Sequence, residues 1–237
     1  MRSPLTGKAA ILTESDIRKF HVQGYCIVQQ FLPPNDLVQL RAEIENYVTH
    51  QKTTQVRWAA SHFDTFNGSM VDKHVPALDG LYDHHLLHEI KKLNPRMGTL
   101  AQRGVGLSIN VIPNNGRFQP HFDRHRLTAV LYINDEYDGG EMRLYPRIRY
   151  WLGPPIGWLK KKLQRLLDNH VRRDTYVSIY SKQVSIKPRA GDLIIFEGTR
   201  TYHAVQPVTA GMDRISIQFA YDLIGTSYDI SDYYGKL

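Results

Sequence analysis

Cysteine is nearly absent from this 237-residue chain, which contains Cys26 and no other. Small secreted domains offset weak cores with pairs of cysteines, so an internal disulfide framework is excluded. The first 30 residues also lack a basic region followed by a long apolar run, which is the pattern of a secretory leader. We therefore expect a cytoplasmic protein with one buried thiol.

Long apolar runs and repeats are missing as well. No apolar run approaches the roughly 20 residues that a helix needs to cross a bilayer, and the sequence shows no internal repeat or low-complexity segment. The composition, with 42% hydrophobic and 22% charged residues, is that of an ordinary globular protein. At this length we predict a single domain over residues 1–237 with a substantial core.

Acidic residues are scarce in one segment of the chain. Residues 142–182 contain ten lysines and arginines against Asp168 and Asp174, a local charge of +8, whereas the remainder has 20 basic and 21 acidic residues. Any electrostatic preference for an anionic partner therefore belongs to this segment. No zinc finger or other compact nucleic-acid motif accompanies it, so we predict no specific nucleic-acid partner.

The first hundred residues are rich in helix signals. Thr13, with Asp16 three positions later, is a variant of the capping box that begins helices. Apolar residues then recur at three- and four-residue spacing. We predict helices over residues 13–25, 36–50 and 86–94. Between residues 51 and 86 the periodicity is poor, which predicts long loops. Residues 1–100 are therefore expected to provide helical support and loops.

Strand patterns dominate the rest of the chain. Short runs of β-branched, aromatic and aliphatic residues alternate with turn signals such as Asp138-Gly139-Gly140. The runs cover residues 105–112, 127–134, 141–146, 183–188, 192–197, 203–208 and 214–222. Helices followed by closely spaced strands predict a mainly β sandwich or barrel with helical support. We place its core at residues 101–224, with a basic insertion at 147–182 whose centre, residues 158–173, has a helical pattern.

The stretch Gln119-Pro-His-Phe-Asp-Arg-His125 carries the clearest chemical signal. On a strand, His121 and Asp123 would point to the same face. Imidazole and carboxylate together suit a divalent metal such as Fe(II), and one distant histidine would complete a facial triad with three open positions. Among the eleven histidines, His203 is the candidate, because it begins a strand just after another strand and a turn. Taken alone, the stretch would equally suit a polar turn.

Arg214 stands eleven residues after His203, on the next predicted strand. A guanidinium held deep in a barrel offers the fixed fork that pairs with a carboxylate through two hydrogen bonds. A metal-binding module without turnover, or a metal-independent barrel enzyme such as a sugar epimerase, has no need of a buried cation here. Arg214 therefore favours a ligand that carries a carboxylate.

The order of these motifs resembles the double-stranded β-helix, a jelly-roll and cupin-like fold, of the Fe(II)- and 2-oxoglutarate-dependent oxygenases. The residues that carry the resemblance are His121-x-Asp123, Gly139-Gly140-Glu141, Gly191-Asp192-Leu193-Ile194-Ile195-Phe196, His203 and Arg214. Phe20-His21-x-x-Gly24-Tyr25 with Phe31-Leu32 is similar to the phytanoyl-CoA hydroxylase-like branch, and the barrel segment to the prolyl-4-hydroxylase-like branch. The resemblance covers residues 13–48 and 105–222.

The resemblance implies roles for six residues. The iron ligands and catalytic centre would be His121, Asp123 and His203. Arg214 would hold the distal carboxylate of 2-oxoglutarate, and Tyr132 would hydrogen-bond the same carboxylate. Ser216 shares a strand face with Arg214, so we expect it to contact the cosubstrate too.

Three further positions qualify the resemblance. Many prolyl-hydroxylase-like members carry a tyrosine where this chain has Ile112, and we expect Asn110 to take its place on the same strand face. His125 should stay outside the ligand set, either behind the ligands or facing solvent. Because the carboxylate of Asp123 is present, hydroxylation or another oxidation such as desaturation is favoured over halogenation.

The implied activity is that of a dioxygenase that uses Fe(II), 2-oxoglutarate and O2. We expect it to hydroxylate an unactivated C–H bond of a small molecule and to release succinate and CO2. Two alternatives stay open: a hydroxylase of protein or peptide side chains, and a non-enzymatic cupin-like metal-binding module. The insertion at 147–182 could form a lid, bind an anionic group, contact a membrane surface or remain a solvated helix.

Overall fold

The architecture is a pair of antiparallel sheets with helices packed on the larger one. The structure is a computed structural model that describes residues 11–51, 54–56, 62–148 and 182–228. Its helices are α1 (Glu14–Gln23), α2 (Pro34–His50), α3 (Gly68–His74), α4 (Ala77–Gly80), α5 (Leu87–Leu93) and α6 (Arg103–Gly106), with a π-helical turn at Leu81–Leu86 between α4 and α5.

Fourteen strands are present in the described residues. They are β1 (Tyr25–Val28), β2 (Thr54–Val56), β3 (Phe63–Asn67), β4 (Met97–Thr99), β5 (Leu107–Ile112), β6 (Phe118–His121), β7 (Leu127–Tyr132), β8 (Tyr137–Gly139), β9 (Met142–Tyr145), β10 (Val184–Ile186), β11 (Leu193–Glu197), β12 (Tyr202–Val205), β13 (Val208–Gly211) and β14 (Arg214–Leu223). The mainly β jelly-roll prediction is confirmed.

The N-terminal helices follow their sequence signals closely. Thr13 accepts a hydrogen bond from the backbone of Asp16, whose carboxylate accepts from the backbone of Thr13, so the capping box forms. Helix α2 begins at Pro34, two residues before its predicted start, because proline fits the first helical turn, where no N–H is needed. Its buried face carries Leu40 and Ile44.

The prediction of long loops between residues 51 and 86 is wrong. This part of the chain contains β2, β3, α3, α4 and the π-helical turn. Strand β3 forms by pairing with β5, with Thr65 opposite Asn110 and Phe66 opposite Ile109. A partner more than 40 residues away leaves no local periodicity to detect. Strands therefore also occur before residue 101, where only helical support and loops were expected.

The large sheet has eight strands, in the order β1-β11-β7-β14-β5-β3-β2, with β4 also paired to β14. Its outer face packs against the helices, which bury residues such as Leu81 and Ile90. Its inner face faces the small sheet across a core cluster that includes Tyr132, Met142 and Phe196. Successive side chains of a strand point to opposite faces, so alternate residues of β14 line the space between the sheets.

The small sheet has the order β10-β9-β12-β6, and a separate ribbon pairs β13 with β8. The run predicted as one strand over residues 203–208 is divided between β12 and β13. Pro207 separates them, because proline has no N–H to donate to a ladder. Within the small sheet His203 lies opposite His121, which brings together residues 82 positions apart in the chain.

The basic insertion lies almost entirely outside the described residues, which resume at Lys182. Strands β9 and β10 flank it and pair with each other, with Val184 opposite Leu144. At its first residue, Arg147 donates from Nε to Glu197 over 2.8 Å and from Nη1 to the carbonyl of Val22 over 2.9 Å. None of the described helices is long and apolar enough to cross a membrane.

Candidate metal centre

Two histidines and one aspartate converge at one end of the space between the sheets. His121 ends β6, and His203 lies opposite it on β12. Asp123 follows two residues after β6, and its Oδ1 lies 3.5 Å from His121 Nε2 and 3.7 Å from His203 Nε2. One potential ligand atom from each residue lies within 4.8 Å of the other two. The three groups are therefore close enough to share one ion.

Backbone carbonyls orient both imidazole rings. His121 Nδ1 lies 2.7 Å from the carbonyl oxygen of Gln119, and His203 Nδ1 lies 3.1 Å from that of Thr201. A carbonyl oxygen only accepts, so each Nδ1 carries a proton and Nε2 is the ring nitrogen left to face a metal ion. This is the arrangement in which proteins fix metal-binding histidines.

Electrostatics keep the donor atoms of His203 and Asp123 free of protons. Burial lowers the pKa of His203 to about 4, so its imidazole is neutral near pH 7. Burial acts in the opposite direction on Asp123, but His203, His125 and His121 outweigh it and hold the pKa of this carboxyl well below its ordinary value. Neutral imidazole and ionised carboxylate are the forms that bind a divalent cation.

The strand-face rationale for His121 and Asp123 is wrong, although the two side chains do meet. Strand β6 ends at His121, so Asp123 lies in the following turn. The backbone N–H of Asp123 donates to the carbonyl of Gly198 over 3.2 Å. A Cβ at Gly198 would stand 2.6 Å from the carbonyl oxygen of His125 and 3.0 Å from the Cβ of Asp123. The glycine therefore lets the turn that carries Asp123 pack this closely.

Arg214 lies at the other end of the same space. It begins β14 and is 2% exposed. Among the described residues, its guanidinium forms no ion pair with a carboxylate, and its buried Nε has no hydrogen-bond partner. The one hydrogen bond from this side chain, from Nη1 to Ser216 Oγ, is long at 3.4 Å. A buried cation with unused donors is costly unless a ligand completes it.

Tyr132 and Ser216 both lie beside Arg214, while their contact with the cosubstrate stays a prediction. The guanidinium carbon stands 4.8 Å from the centre of the Tyr132 ring, a cation–π contact. The Tyr132 hydroxyl donates to Met142 Sδ over 3.1 Å. In the structure, therefore, Tyr132 contacts Arg214 through its ring, and its hydroxyl is engaged with a weak acceptor.

Sequence reasoning missed Tyr137, whose buried hydroxyl has no hydrogen-bond partner within the described part of the chain. Burial raises the pKa of this hydroxyl, and the charge of Arg214 acts against the shift. Gly140 has φ +66°, and a Cβ there would stand 3.0 Å from the Tyr137 ring and 3.1 Å from Arg214 Cδ. The Gly139-Gly140 motif is the sequence signal that could have indicated this contact, because glycine at position 140 leaves room for the side chains of Tyr137 and Arg214.

One cavity, lined by His121 and His203 at one end and by Arg214 at the other, connects the two ends. Apolar side chains such as Ile112, Phe118 and Phe196 form much of its wall, together with Asn110. Two imidazole nitrogens and a carboxylate oxygen suit Fe(II) with open positions. At the other end, the unpartnered Nε of Arg214 and the hydroxyl of Tyr137 suit a carboxylate. The residues present thus fit a metal ion and a carboxylate-bearing ligand in one cavity.

The structure answers the expectation for His125, whereas the expectation for Asn110 is answered only in part. His125 is 1% exposed and contacts Asp123 rather than the two histidine ligand atoms, so it lies behind the metal centre and does not face solvent. Asn110 lies on the cavity wall, with its Nδ2 at 3.5 Å from Gln218 Oε1. Its position matches the expected strand face, while a contact with cosubstrate or substrate stays a prediction.

Comparison with known proteins gives a family and a fold. The model of the 2OG-Fe(II) oxygenase superfamily matches residues 107–222, and a search of curated proteins finds no match. The chain is similar to the α-ketoglutarate-dependent epimerase SnoN from nogalamycin biosynthesis (TM-score 0.68, 18% identity, 91% of each chain covered).

Two further solved structures share the fold. A prolyl-4-hydroxylase from Pseudomonas putida gives a TM-score of 0.61 at 17% identity, with 89% of this chain and 98% of that chain covered. HygX from Streptomyces hygroscopicus, solved with nickel, 2-oxoglutarate and hygromycin B, gives 0.63 at 13% identity, with 91% and 89% covered. The family match covers strands β5 to β14 and all three converging residues. Residues 107–222 of the chain thus match the 2-oxoglutarate- and Fe(II)-dependent oxygenase superfamily.

Proposed function

We propose that this dioxygenase hydroxylates an unactivated C–H bond of a small molecule, with His121, Asp123 and His203 as its iron ligands and Arg214 as the anchor for 2-oxoglutarate. The observation that carries the proposal is the two-ended cavity. Two imidazole nitrogens and Asp123 Oδ1 converge at one end, and a buried guanidinium without a carboxylate partner among the described residues lies at the other.

The superfamily uses Fe(II), 2-oxoglutarate and O2. Bound iron and cosubstrate supply the oxidative chemistry, with release of succinate and CO2. The residues of this chain bind and orient. His121 and His203 offer neutral nitrogens whose directions are fixed by the carbonyls of Gln119 and Thr201. Asp123 adds one negative charge, which favours a divalent cation over a neutral occupant.

The Arg214 end neutralises and positions the distal carboxylate of the cosubstrate. Arg214 offers charge and directional donors in a site shielded from water, where such hydrogen bonds are stronger than in solvent. Tyr137 offers a further hydroxyl, and Ser216 lies within reach of the same guanidinium. The Tyr132 ring supports the guanidinium plane. Together these groups give the cosubstrate one orientation.

The presence of Asp123 supports hydroxylation over halogenation. A halogenase needs a position on the metal for chloride, which a small residue in place of the aspartate would leave open. Here the carboxylate lies within 3.7 Å of both imidazole nitrogens, so it would take that position itself.

A small-molecule substrate is supported by the character of the cavity wall. The described residues that line the cavity are largely apolar with a few polar groups among them, as in small-molecule sites. The structural neighbours solved with nogalamycin RO and with hygromycin B also favour a small-molecule substrate. The likeness to prolyl-4-hydroxylases favours a second candidate, hydroxylation of a protein or peptide side chain.

On sequence grounds, the proposal also includes a cytoplasmic location. It further includes a contact between residues 147–182 and an anionic group or a membrane surface.

The test is an anaerobic titration of Fe(II) and 2-oxoglutarate followed by visible absorption. We expect a weak charge-transfer band between metal and keto acid that is lost in His121→Ala and in His203→Ala. The exposed His50, at the end of α2, gives the control variant His50→Ala, which should keep the band. A wild-type protein without the band and without 2-oxoglutarate binding would overturn the proposal. A screen for succinate release across amino acids, acyl thioesters, lipids and peptides then identifies the substrate class.

A further inference from the structure

The two carboxylate oxygens of Asp123 have different surroundings. Oδ1 faces the metal-binding nitrogens, at 3.5 Å from His121 Nε2 and 3.7 Å from His203 Nε2. Oδ2 points away from them, accepts a hydrogen bond from the Thr128 hydroxyl, and lies 3.5 Å from His125 Nε2. The side chain therefore presents a single oxygen to the centre.

Thr128 and His125 form a directed chain of hydrogen bonds to Oδ2. His125 Nε2 lies 2.8 Å from Thr128 Oγ1. The hydroxyl has one proton, which it donates to Asp123, so it accepts from the Nε2–H of His125. All three side chains are buried, with Thr128 and His125 each 1% exposed. Hydrogen bonds to an ionised group in such surroundings are strong and polarise one another.

Stability alone does not explain this arrangement. The Nδ1 atom of His125 is buried and finds no partner among the described residues. A buried polar atom left in this way destabilises the fold by about 1–3 kcal/mol, a loss that an apolar side chain at position 125 would avoid. Gly198 provides the space, since a Cβ there would stand 2.7 Å from Thr128 Oγ1. The pair occupies a tightly confined position directly behind Asp123.

We propose that Thr128 and His125 are positioning residues that hold Asp123 so that it binds the metal through Oδ1 alone. The inference rests on the proposed role of Asp123 as a metal ligand. A carboxylate that binds through one oxygen takes one position on the ion, whereas a carboxylate free to rotate takes two. Fixing Oδ2 on Thr128 thus keeps open the positions that the cosubstrate and O2 need.

The first test compares Thr128→Val with Thr128→Ser. Valine keeps the shape and removes the hydroxyl, while serine keeps the hydroxyl. In anaerobic titrations with Fe(II), competed against a chromogenic chelator, we expect Thr128→Val to bind about 10- to 100-fold more weakly and Thr128→Ser to stay within about threefold of wild type. Thr65→Val is the control, because Thr65 is also buried, on β3, but does not line the cavity; it should leave Fe(II) affinity unchanged.

A spectroscopic readout separates positioning from simple structural support. The d–d absorption of the Co(II)-loaded protein reports the coordination of the metal, so we expect it to change in Thr128→Val and to be restored in Thr128→Ser. Loss of support alone would lower the melting temperature and leave this spectrum as in wild type. Wild-type affinity and spectrum in Thr128→Val, or equal damage by serine and valine, would overturn the inference.

If Thr128→Val does not fold, the variant His125→Phe provides a second test of the positioning role. It removes the donor to Thr128 while filling the space of the ring, and it leaves the hydrogen bond from Thr128 to Asp123 in place. We expect Fe(II) binding to weaken by about three- to tenfold, the size of one lost hydrogen bond, and unchanged affinity would count against the inference. A wild-type protein that binds neither Fe(II) nor Co(II) would instead remove the proposed function itself.

Discussion

The two ends of the cavity differ in how completely their polar groups are partnered. At the metal end, Nδ1 of each candidate histidine and Oδ2 of Asp123 all have hydrogen-bond partners within the protein. At the Arg214 end, within the described part of the chain, the guanidinium Nε and the Tyr137 hydroxyl have none. The atoms that hold the candidate metal ligands are therefore paired, although Nδ1 of His125 behind them is not, whereas the donors at the Arg214 end would be paired by a bound ligand.

This difference fits the two proposed occupants, a metal ion at one end and 2-oxoglutarate at the other. A metal ion stays through many turnovers, so its ligands gain from being fixed in advance by hydrogen bonds behind them. The cosubstrate is consumed in each turnover and its product must leave, so donors that are satisfied only when the ligand is bound suit its site. A variant at one end should therefore change the binding of one of these ligands and leave the binding of the other unchanged.

The largest effect should come from removing a ligand at the metal end. We expect His203→Ala to weaken Fe(II) binding by more than about 100-fold, since even groups that only orient ligands contribute 10- to 100-fold. Equilibrium titration under nitrogen measures it. His88→Ala, at an exposed histidine outside the cavity, is the control. Near-wild-type Fe(II) affinity in His203→Ala would show that the three groups do not form the metal site.

The next effect should appear at the opposite end. We expect Arg214→Met to raise the Kd for 2-oxoglutarate by about 30- to 1,000-fold, because truncating one partner of a buried charge pair costs about 2–4 kcal/mol. Fe(II) affinity should stay within about twofold. Arg41→Met removes a surface arginine and should change neither constant. A parallel fall in both affinities would mean that the two ends are not independent.

Acid should destabilise the metal-free protein through the metal end. Burial lowers the pKa of His203 to about 4 in the folded state, against about 6.5 when unfolded. Between these values the unfolded chain takes up the proton and the folded chain does not, so stability is full above pH 6.5 and falls as the pH falls toward 4, by about 3 kcal/mol. Urea unfolding at pH 7 and pH 5 measures the part of this loss that falls above pH 5, about 2 kcal/mol. It should be smaller in His203→Asn, and an equal loss would assign the effect to other groups.

The smallest effect should come from Tyr137→Phe, which should weaken 2-oxoglutarate binding without lowering the stability of the ligand-free protein. Removing the hydroxyl should raise the Kd for 2-oxoglutarate by about three- to tenfold, the size of one neutral hydrogen bond. The ligand-free protein should become no less stable, because a buried group without a partner disappears. Calorimetry and thermal unfolding provide both values, with Tyr25→Phe on β1 as the control. Loss of stability with unchanged affinity would make Tyr137 a core residue.

The sequence was most informative where chemistry and chain order are local. The order of His121, Asp123, His203 and Arg214 indicated the family and the cavity, and the jelly-roll fold was predicted from the strand runs. The sequence reasoning was wrong about why Asp123 meets His121, because the end of β6 depends on pairing with β12, where His203 lies opposite His121 from 82 positions away. Tyr137 and the contact between His125 and Thr128 were missed, since both depend on close approaches that only tertiary packing produces.

The most direct test of the two-ended cavity is equilibrium dialysis of 2-oxoglutarate under nitrogen, with and without Fe(II), on the wild type and on Arg214→Met. We expect tight binding to the wild type with Fe(II), weaker binding without it, and a further loss in Arg214→Met whether or not Fe(II) is present. Binding that is indifferent to both Fe(II) and Arg214 would contradict the assignment of this cavity to iron and 2-oxoglutarate.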